Sequence, residues 1–348
     1  MKSKNKLILV GGIHLNHKPT CGETMKNQLF LKRFNELFEK VVPIDTYQWQ
    51  KHPWCLAKLF FVLLFNPKAK VIISASGASR FLLNFLDVFP INKNVYFWVV
   101  GGNMAEAIEA GRFKVDVLKK VKLILVQGKP MVAELNAMGL TNVMYVPNSK
   151  PIIFFPSFEN KTKSDRFKFV FLSRIHPDKG IKEIYKATEM LDAAGFNGQY
   201  LVDFYGSKDA TFAGEFDAMV DSKEALNYKG YMDLTTEAGY RQLSTYDMML
   251  FPTYWAGEGF PGVVIDANIA GLPIIATDWN LNSDVIIDGK TGFIIPPKDV
   301  SSLFDSMKTA IEHPEECDRM GQIANEYIQQ FDYRKVLSES FFEHIFSI

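Results

Sequence analysis

Short apolar runs recur along this chain, each closing on glycine or a small polar residue and then giving way to residues at helical spacing. Lys6-Leu-Ile-Leu-Val10 meets Gly11-Gly12, Val71–Ser74 meets Ser76-Gly77, and Tyr96–Val100 meets Gly101-Gly102-Asn103. Continuous runs of this kind read as strands buried on both faces. Strands alternating with helices imply a parallel, doubly wound α/β sheet, because a parallel crossover needs a connection of helix length. Further strands are expected at Val41–Asp45, Leu123–Val126 and Val143–Val146, with helices over 25–38, 54–65 and 130–138. The first of these helices carries Leu29, Phe30, Phe34, Leu37 and Phe38 on one side.

The pattern restarts at Phe167–Leu172, after a polar stretch from Ser157 to Asp165 that reads as a linker. Strands follow at Tyr200–Tyr205, Leu226–Gly230, Tyr246–Phe251 and Ile274–Thr277, with Asp288-Gly289-Lys-Thr-Gly292-Phe293 a turn into a short strand. Helices are expected over 181–191, 234–243 (capped by Asp233), 300–311 and 318–329, and Trp279–Asp284 reads as a loop. Tyr333–Phe346 reads as one helix that can pack on either domain. A length of 348 residues exceeds one ordinary core. Two domains are therefore expected, over 1–150 and 165–330.

The net charge of zero hides an asymmetry: residues 1–150 hold 21 Lys and Arg against 9 Asp and Glu, and residues 151–348 hold 18 against 30. The basic half could rest on anionic lipid headgroups, or the two halves could simply attract one another. No nucleic-acid motif or basic-aromatic repeat accompanies the charge. Cys21, Cys55 and Cys317 form neither a metal-spaced pair nor a disulfide framework, which favours a reducing, cytoplasmic setting. The first residues enter a strand with no signal-peptide pattern. The longest apolar run, Trp54 to Phe65, contains Lys58 and is twelve residues long, too short to span a bilayer.

The chemistry concentrates in the stretch from Phe251 to Pro273. A strand end passes through Glu258-Gly259-Phe260-Pro261-Gly262 into a short helix containing Asp266, with Pro261 suited to the first helical position and Gly271 to the position past the end. A helix N-terminus offers N–H groups to an anion, and the two carboxylates can accept from sugar hydroxyls, so a sugar nucleotide satisfies both. The bland alternative is an acid placed against the helix dipole. Arg174 leaves the strand Phe167–Leu172 and Lys179 lies just before the next helix, a planar fork and a point charge suited to a diphosphate unless they are surface salt bridges. Gly230, Tyr231 and Met232 form a glycine turn where a flat base can stack. In the first half, Gly22 allows close approach to a ligand or makes a tight turn. His14, Ser76, Asn103 and Gln127 are expected to gather at the strand edges as an acceptor-side wall, with loop hydrogen bonding as their structural alternative.

Arg174 with Lys179-Gly180, Gly230-Tyr231, Glu258-Gly-Phe-Pro-Gly262 with seven residues intervening before Asp266, and Gly271-Leu-Pro-Ile-Ile-Ala-Thr277 together resemble a retaining glycosyltransferase of the GT-B fold. The chain is similar to bacterial members of glycosyltransferase family four, often involved in capsule, O-antigen or lipopolysaccharide assembly. The likeness is strongest over about 165–300, and Cys21-Gly-Glu-Thr-Met-Lys-Asn-Gln28 is similar to the donor-facing glycine loop of polysaccharide members. The resemblance implies two Rossmann-like domains facing each other across a cleft, the first for the acceptor and the second for the nucleotide sugar. Arg174 and Lys179 would hold the donor diphosphate, Glu258 would sit by the transferred sugar, Asp266 by the ribose and Gly230 to Met232 by the base. The N–H groups of Gly259 to Gly262 would complete the phosphate site. The family usually has Glu where Asp266 stands, and many members carry a His where Gly101-Gly102-Asn103 stands here.

The expected reaction is retaining transfer from a nucleoside-diphosphate sugar, UDP favoured, to a glycan or lipid-linked acceptor. No metal or other cofactor is expected, because two cations and a helix N-terminus meet the developing charge. Rival readings are an epimerase or phosphorylase on the same fold, and a non-catalytic sugar-nucleotide-binding subunit. A two-lobed periplasmic-type binding protein is disfavoured by the N-terminus.

Overall fold

The computed structural model describes residues 2–18, 21–159 and 164–347. Pro19 and the middle of the expected linker, 160–163, lie outside the described residues. The chain divides into two compact units, Met1–Asn148 with Tyr333–Ile348, and Ser149–Asp332.

In the first unit, β1 (Ser3–Gly11), α1 (Gly22–Leu37), β2 (Phe38–Asp45), α2 (Trp54–Leu64), β3 (Lys70–Ser74), α3 (Ser79–Val88) and β4 (Val95–Trp98) follow in turn. After them come α4 (Met104–Glu109), α5 (Val115–Leu118), β5 (Leu123–Val126), α6 (Lys129–Ala137) and β6 (Val143–Tyr145). All six strands are parallel, in the order β2-β1-β3-β4-β5-β6. The order reverses between β1 and β3, so the loops leaving these two strands are neighbours at a topological switch point. Helices α3, α4 and α5 occupy stretches for which the sequence pattern set no expectation.

The second unit runs β7 (Phe167–Leu172), a 3₁₀ turn (Pro177–Lys179), α7 (Ile181–Ala193), β8 (Tyr200–Tyr205), α8 (Ala213–Asp221) and β9 (Leu226–Gly230). It continues with α9 (Glu237–Leu243), β10 (Met248–Phe251), α10 (Gly262–Ile269), β11 (Ile274–Thr277), α11 (Asn282–Val285), β12 (Gly292–Ile295), α12 (Val300–Glu312) and α13 (Pro314–Ile328). These strands too are parallel, in the order β12-β11-β10-β7-β8-β9, with the switch point between β7 and β10. Phe169, Phe171, Ile184, Tyr200, Val202 and Leu250 are buried in one cluster that joins the sheet to its helices. Three local expectations differ. Thr236, not Asp233, caps α9 by accepting from the Gly239 N–H at 3.2 Å, while Asp233 folds back on the Thr235 N–H at 3.0 Å. Pro261 stands outside α10 as its N-cap, with extended backbone, and Gly262 is the first helical residue. The expected loop at 279–284 contains the start of α11.

The C-terminal segment is two helices, α14 (Tyr333–Val336) and α15 (Glu339–Ser347), rather than one. Ser338 starts the second by accepting from the Phe341 N–H at 3.2 Å, the competition with helix continuation that serine favours. Phe342 then meets Phe34 and Phe38 edge-on at 5.3 and 5.6 Å in the core of the first unit.

Candidate functional site

In the second unit the loops after β7 and β10 lie side by side because their strands pair at the switch point. Gly180 turns the first loop with φ of 79°, and a Cβ there would stand 2.3 Å from the Pro252 carbonyl oxygen of the second. Tyr254 ties the loops together twice: its N–H donates to the Asp178 carbonyl at 2.8 Å, and its hydroxyl donates to the Pro177 carbonyl at 3.1 Å. Burial, with the charges of Glu183 and Asp178, pushes the Tyr254 phenol up to about 12, which keeps it a donor.

This close approach brings the predicted charges together. The Lys179 ammonium pairs with the Glu258 carboxylate, and both side chains are largely buried. Thr253 donates to the same carboxylate oxygen at 3.2 Å. The Arg174 guanidinium lies 4.7 Å from the centre of the Trp255 ring, and the Lys179 ammonium lies 5.8 Å from it. His176 meets the same ring edge-on at 4.9 Å. The loop carrying Trp255 and Glu258 is held from behind: Trp279 donates to the Trp255 carbonyl at 2.9 Å and Asn280 to the Glu258 carbonyl at 2.8 Å. Arg174 and Lys179 thus converge on the Trp255 ring, and Glu258 joins them through its pair with Lys179. Trp255 joins the candidate site without a spacing motif of its own, although an aromatic in a glycine-rich loop is a legible signal for a stacking surface.

Gly262 opens α10, whose first N–H groups have no acceptor within the helix. Gly259 and Pro261 lead into it, whereas the Phe260 side chain is buried against Phe331 at 5.4 Å, leaving only its backbone for a ligand. Asp266, expected beside the ribose, is held in a buried network. It is 3% exposed; one carboxylate oxygen accepts from Tyr240 at 2.7 Å, and the other pairs with the Lys150 ammonium. Burial and the Asp266 charge both push the Tyr240 phenol up, so it stays a proton donor to Asp266. Lys150 and Tyr240 carry no spacing signal, since they reach Asp266 only through the fold. In the turn after β9, Met232 is buried and Tyr231 is 75% exposed, so the tyrosine ring, with the Gly230 backbone, is the part open to a flat ligand.

In the first unit, Gly22 is the first residue of α1, and nothing lies within 4 Å of where its Cβ would be. Glu23 beside it spans the switch point, accepting from the Gly12 N–H at 3.1 Å and from the Ser76 hydroxyl. Asn27 donates to the carbonyls of Gly12 at 3.1 Å and Ser74 at 2.7 Å. His14 sits in left-handed backbone with φ of 57°, stacked on His17 at 4.6 Å and on Tyr47 at 4.2 Å. Asn103 precedes α4 without a side-chain cap bond, and Gln127 is buried at the end of β5. His14, Ser76 and Asn103 therefore share one edge of a parallel sheet, each with a local setting of its own. Glu23 and Asn27 are the ties that the sequence did not mark. Beside them the Lys26 ammonium is buried over the rings of Phe30 (5.3 Å) and Trp98 (5.5 Å) with no hydrogen-bond partner among the described residues. Burial takes its pKa down to about 7, against the raising effect of Glu23.

Two doubly wound units, the second with a cation pair and a helix N-terminus at its switch point, define the GT-B class of glycosyltransferases. Residues 154–327, half of the chain, match the family described as glycosyl transferases group 1, and the chain belongs to that family. It is 22% identical to the capsular polysaccharide biosynthesis glycosyltransferase CapM of Staphylococcus aureus over 283 residues, 73% of this chain and 70% of that one. Further curated relatives match over 39% to 49% of their own length. Among solved structures, sucrose-phosphate synthase from Thermosynechococcus elongatus superimposes with a TM-score of 0.78 at 13% identity, over 99% of this chain and all of that one. HepE of Anabaena, solved in complex with UDP, gives 0.73 at 14% identity over 99% of this chain and all of its own.

Proposed function

We propose that this chain transfers a sugar from a UDP-sugar, with retention at the anomeric carbon, to a glycan or lipid-linked acceptor during assembly of a bacterial surface polysaccharide, on the cytoplasmic side. The observation that carries the reading is the convergence of Arg174, Lys179 and Glu258 at the switch point. The likeness to CapM supports the polysaccharide assignment, and UDP in the HepE complex supports the donor class. Breaking the glycosidic bond leaves negative charge on the diphosphate. In this reading Arg174, Lys179 and the start of α10 meet that charge as it grows, the kind of fixed electrostatic stabilisation that contributes most in many enzymes. Because these groups supply the positive charge, transfer proceeds without a metal ion. Glu258 accepts from hydroxyls of the transferred sugar and shares Lys179 with the leaving phosphate. The acceptor hydroxyl attacks from the face the diphosphate leaves, and a diphosphate oxygen takes its proton. Tyr231 and the Gly230 backbone receive the base. Asp266 acts indirectly, fixing α10 through Tyr240 and Lys150.

The test is incubation with UDP-, GDP- and ADP-sugars, with and without lipid-linked acceptor and with a chelator, followed by the anomeric configuration of the product. UDP release that survives chelation, falls in Arg174→Ala and Glu258→Ala, and yields a retained product supports the reading. Release unchanged in both variants, or an inverted product, overturns it.

A further inference from the structure

Among the described residues, fourteen large apolar side chains are exposed, and seven of them crowd residues 54–89 of the first unit. Trp54, Phe61, Leu64 and Phe65 come from α2 and its end, and Phe81, Val88 and Phe89 come from α3 and its end. Along α2 the sequence Trp54, Lys58, Phe61, Phe65 keeps to one helical face, opposite the buried Leu59 and Leu63. The exposures are large: 82% for Trp54, 77% for Phe65 and 56% for Phe61. Along α3, Phe81, Phe85 and Phe89 recur every fourth residue, while Leu82, Leu83 and Leu86 face the sheet. The two helices make one surface, for the Phe60 ring lies 6.5 Å from Phe85 and 6.0 Å from Phe89, and Trp49 stacks on Phe81 at 5.0 Å. A contiguous apolar face of this kind is an interaction site rather than scattered surface.

The charges around it select the partner. From Thr46 to Leu86 the chain holds no Asp or Glu. Lys51, Lys58, Lys68 and Arg80 are all exposed there, with Lys93 just beyond. The nearby acid, Asp87, is already paired with Lys120 at 2.5 Å. A rim of cations with no counter-charge among the described residues complements anionic headgroups, and aromatic rings with lysine stems suit the boundary between headgroup and acyl chain. With eleven residues, α2 is too short to cross the hydrocarbon.

We propose that the face formed by α2 and α3 docks on the surface of an anionic lipid bilayer, with Trp54, Phe61 and Phe65 seated among the headgroups. The proposal does not rest on the reaction proposed above. The test is sedimentation of the full chain with vesicles of phosphatidylcholine alone or with phosphatidylglycerol added. Binding should require the anionic lipid and weaken as salt rises. It should fall by about tenfold or more in Phe61→Ser/Phe65→Ser and in Lys51→Glu/Lys58→Glu/Lys68→Glu. Ile323→Ser, which removes an exposed side chain of the other unit, should bind as wild type with an unchanged melting temperature in all variants. Equal binding to neutral vesicles, no binding to anionic ones, or wild-type binding by the Phe61→Ser/Phe65→Ser variant would overturn the proposal. So would a wild-type dimer that the same substitutions dissociate, because the face would then belong to a second copy of the chain.

Discussion

Lys179 and Glu258 neutralise each other across the two loops at the second unit's switch point. Under the proposed function, a diphosphate entering this site would take a share of Lys179 and meet the Glu258 carboxylate as a like charge. Glu258→Gln should therefore tighten UDP binding about fivefold, a Coulomb effect of about 1 kcal/mol, that of two unit charges about 4 Å apart screened as in water, while transfer falls. Lys179→Met should weaken UDP binding by about 1.5–3 kcal/mol, the range for hydrogen bonds to charged groups. Calorimetric titration with UDP checks both; weaker UDP binding in Glu258→Gln would show that the pair acts as one structural unit.

Asp266 is a buried carboxylate that depends on Lys150 and Tyr240. Lys150→Met strands the anion, and Asp266→Asn strands the cation, so each should cost about 3–5 kcal/mol in urea unfolding. The double variant should cost clearly less than the two added together, because the charges are removed as a pair. Additive losses would mean that the two groups are stabilised separately.

The continuous apolar runs made the strands legible, since a parallel strand buried on both faces has little room for polar residues. The junctions were less legible. Asp233 and Thr236 are both residues that cap helices, and only the actual course of the chain decides that Thr236 meets the Gly239 N–H. Ser338 likewise interrupts a run whose apolar spacing continues through it. At the site, Arg174, Lys179 and Glu258 stand beside strand ends, so sequence and topology point to the same place. Lys150 reaches Asp266 across 116 positions of sequence, and no local pattern records such a partner.

Lys26 gives a pH dependence with a definite sign. Its ordinary value of 10.5 is lowered to about 7 in the folded chain, first by burial. Between these values the unfolded chain holds the extra proton, so stability should rise with pH across that window. Lys26→Met keeps the stem over Phe30 and Trp98 and removes the charge. It should raise the melting temperature at pH 6 and flatten the rise between about pH 7 and 10. An unchanged slope in the variant would assign the dependence to another group.

Asp45 carries the opposite sign. Burial opposes its charge, but N–H groups of Leu15, Tyr47, Ile13 and His14 hold its carboxyl below the ordinary value of 3.8. The bonds from Ile13, Leu15 and Tyr47 are each 2.9 Å, and they fix the loop after β1. Its contribution is complete above the unfolded value and is lost as pH falls through the lower folded one. Asp45→Asn should flatten the acid limb of the stability profile below about pH 4 while lowering stability at pH 7. An acid limb as steep as in wild type would remove Asp45 from the account.

Gly180 separates two costs that a glycine can hide. Its φ of 79° burdens any side chain, and the Pro252 carbonyl, 2.3 Å from a Cβ, adds a collision. Gly289 has a φ of 69° with nothing within 4 Å, so it carries the backbone burden alone. Gly289→Ala should cost about 1–2 kcal/mol, the left-handed penalty for one residue. Gly180→Ala should cost more, because the loops after β7 and β10 must part to admit the methyl group. That parting also carries Lys179 away from Glu258, so UDP affinity should fall in Gly180→Ala and stay at the wild-type value in Gly289→Ala. Equal destabilisation and equal affinity in the two variants would show that the loops yield freely, and the close approach would then have no part in setting the site.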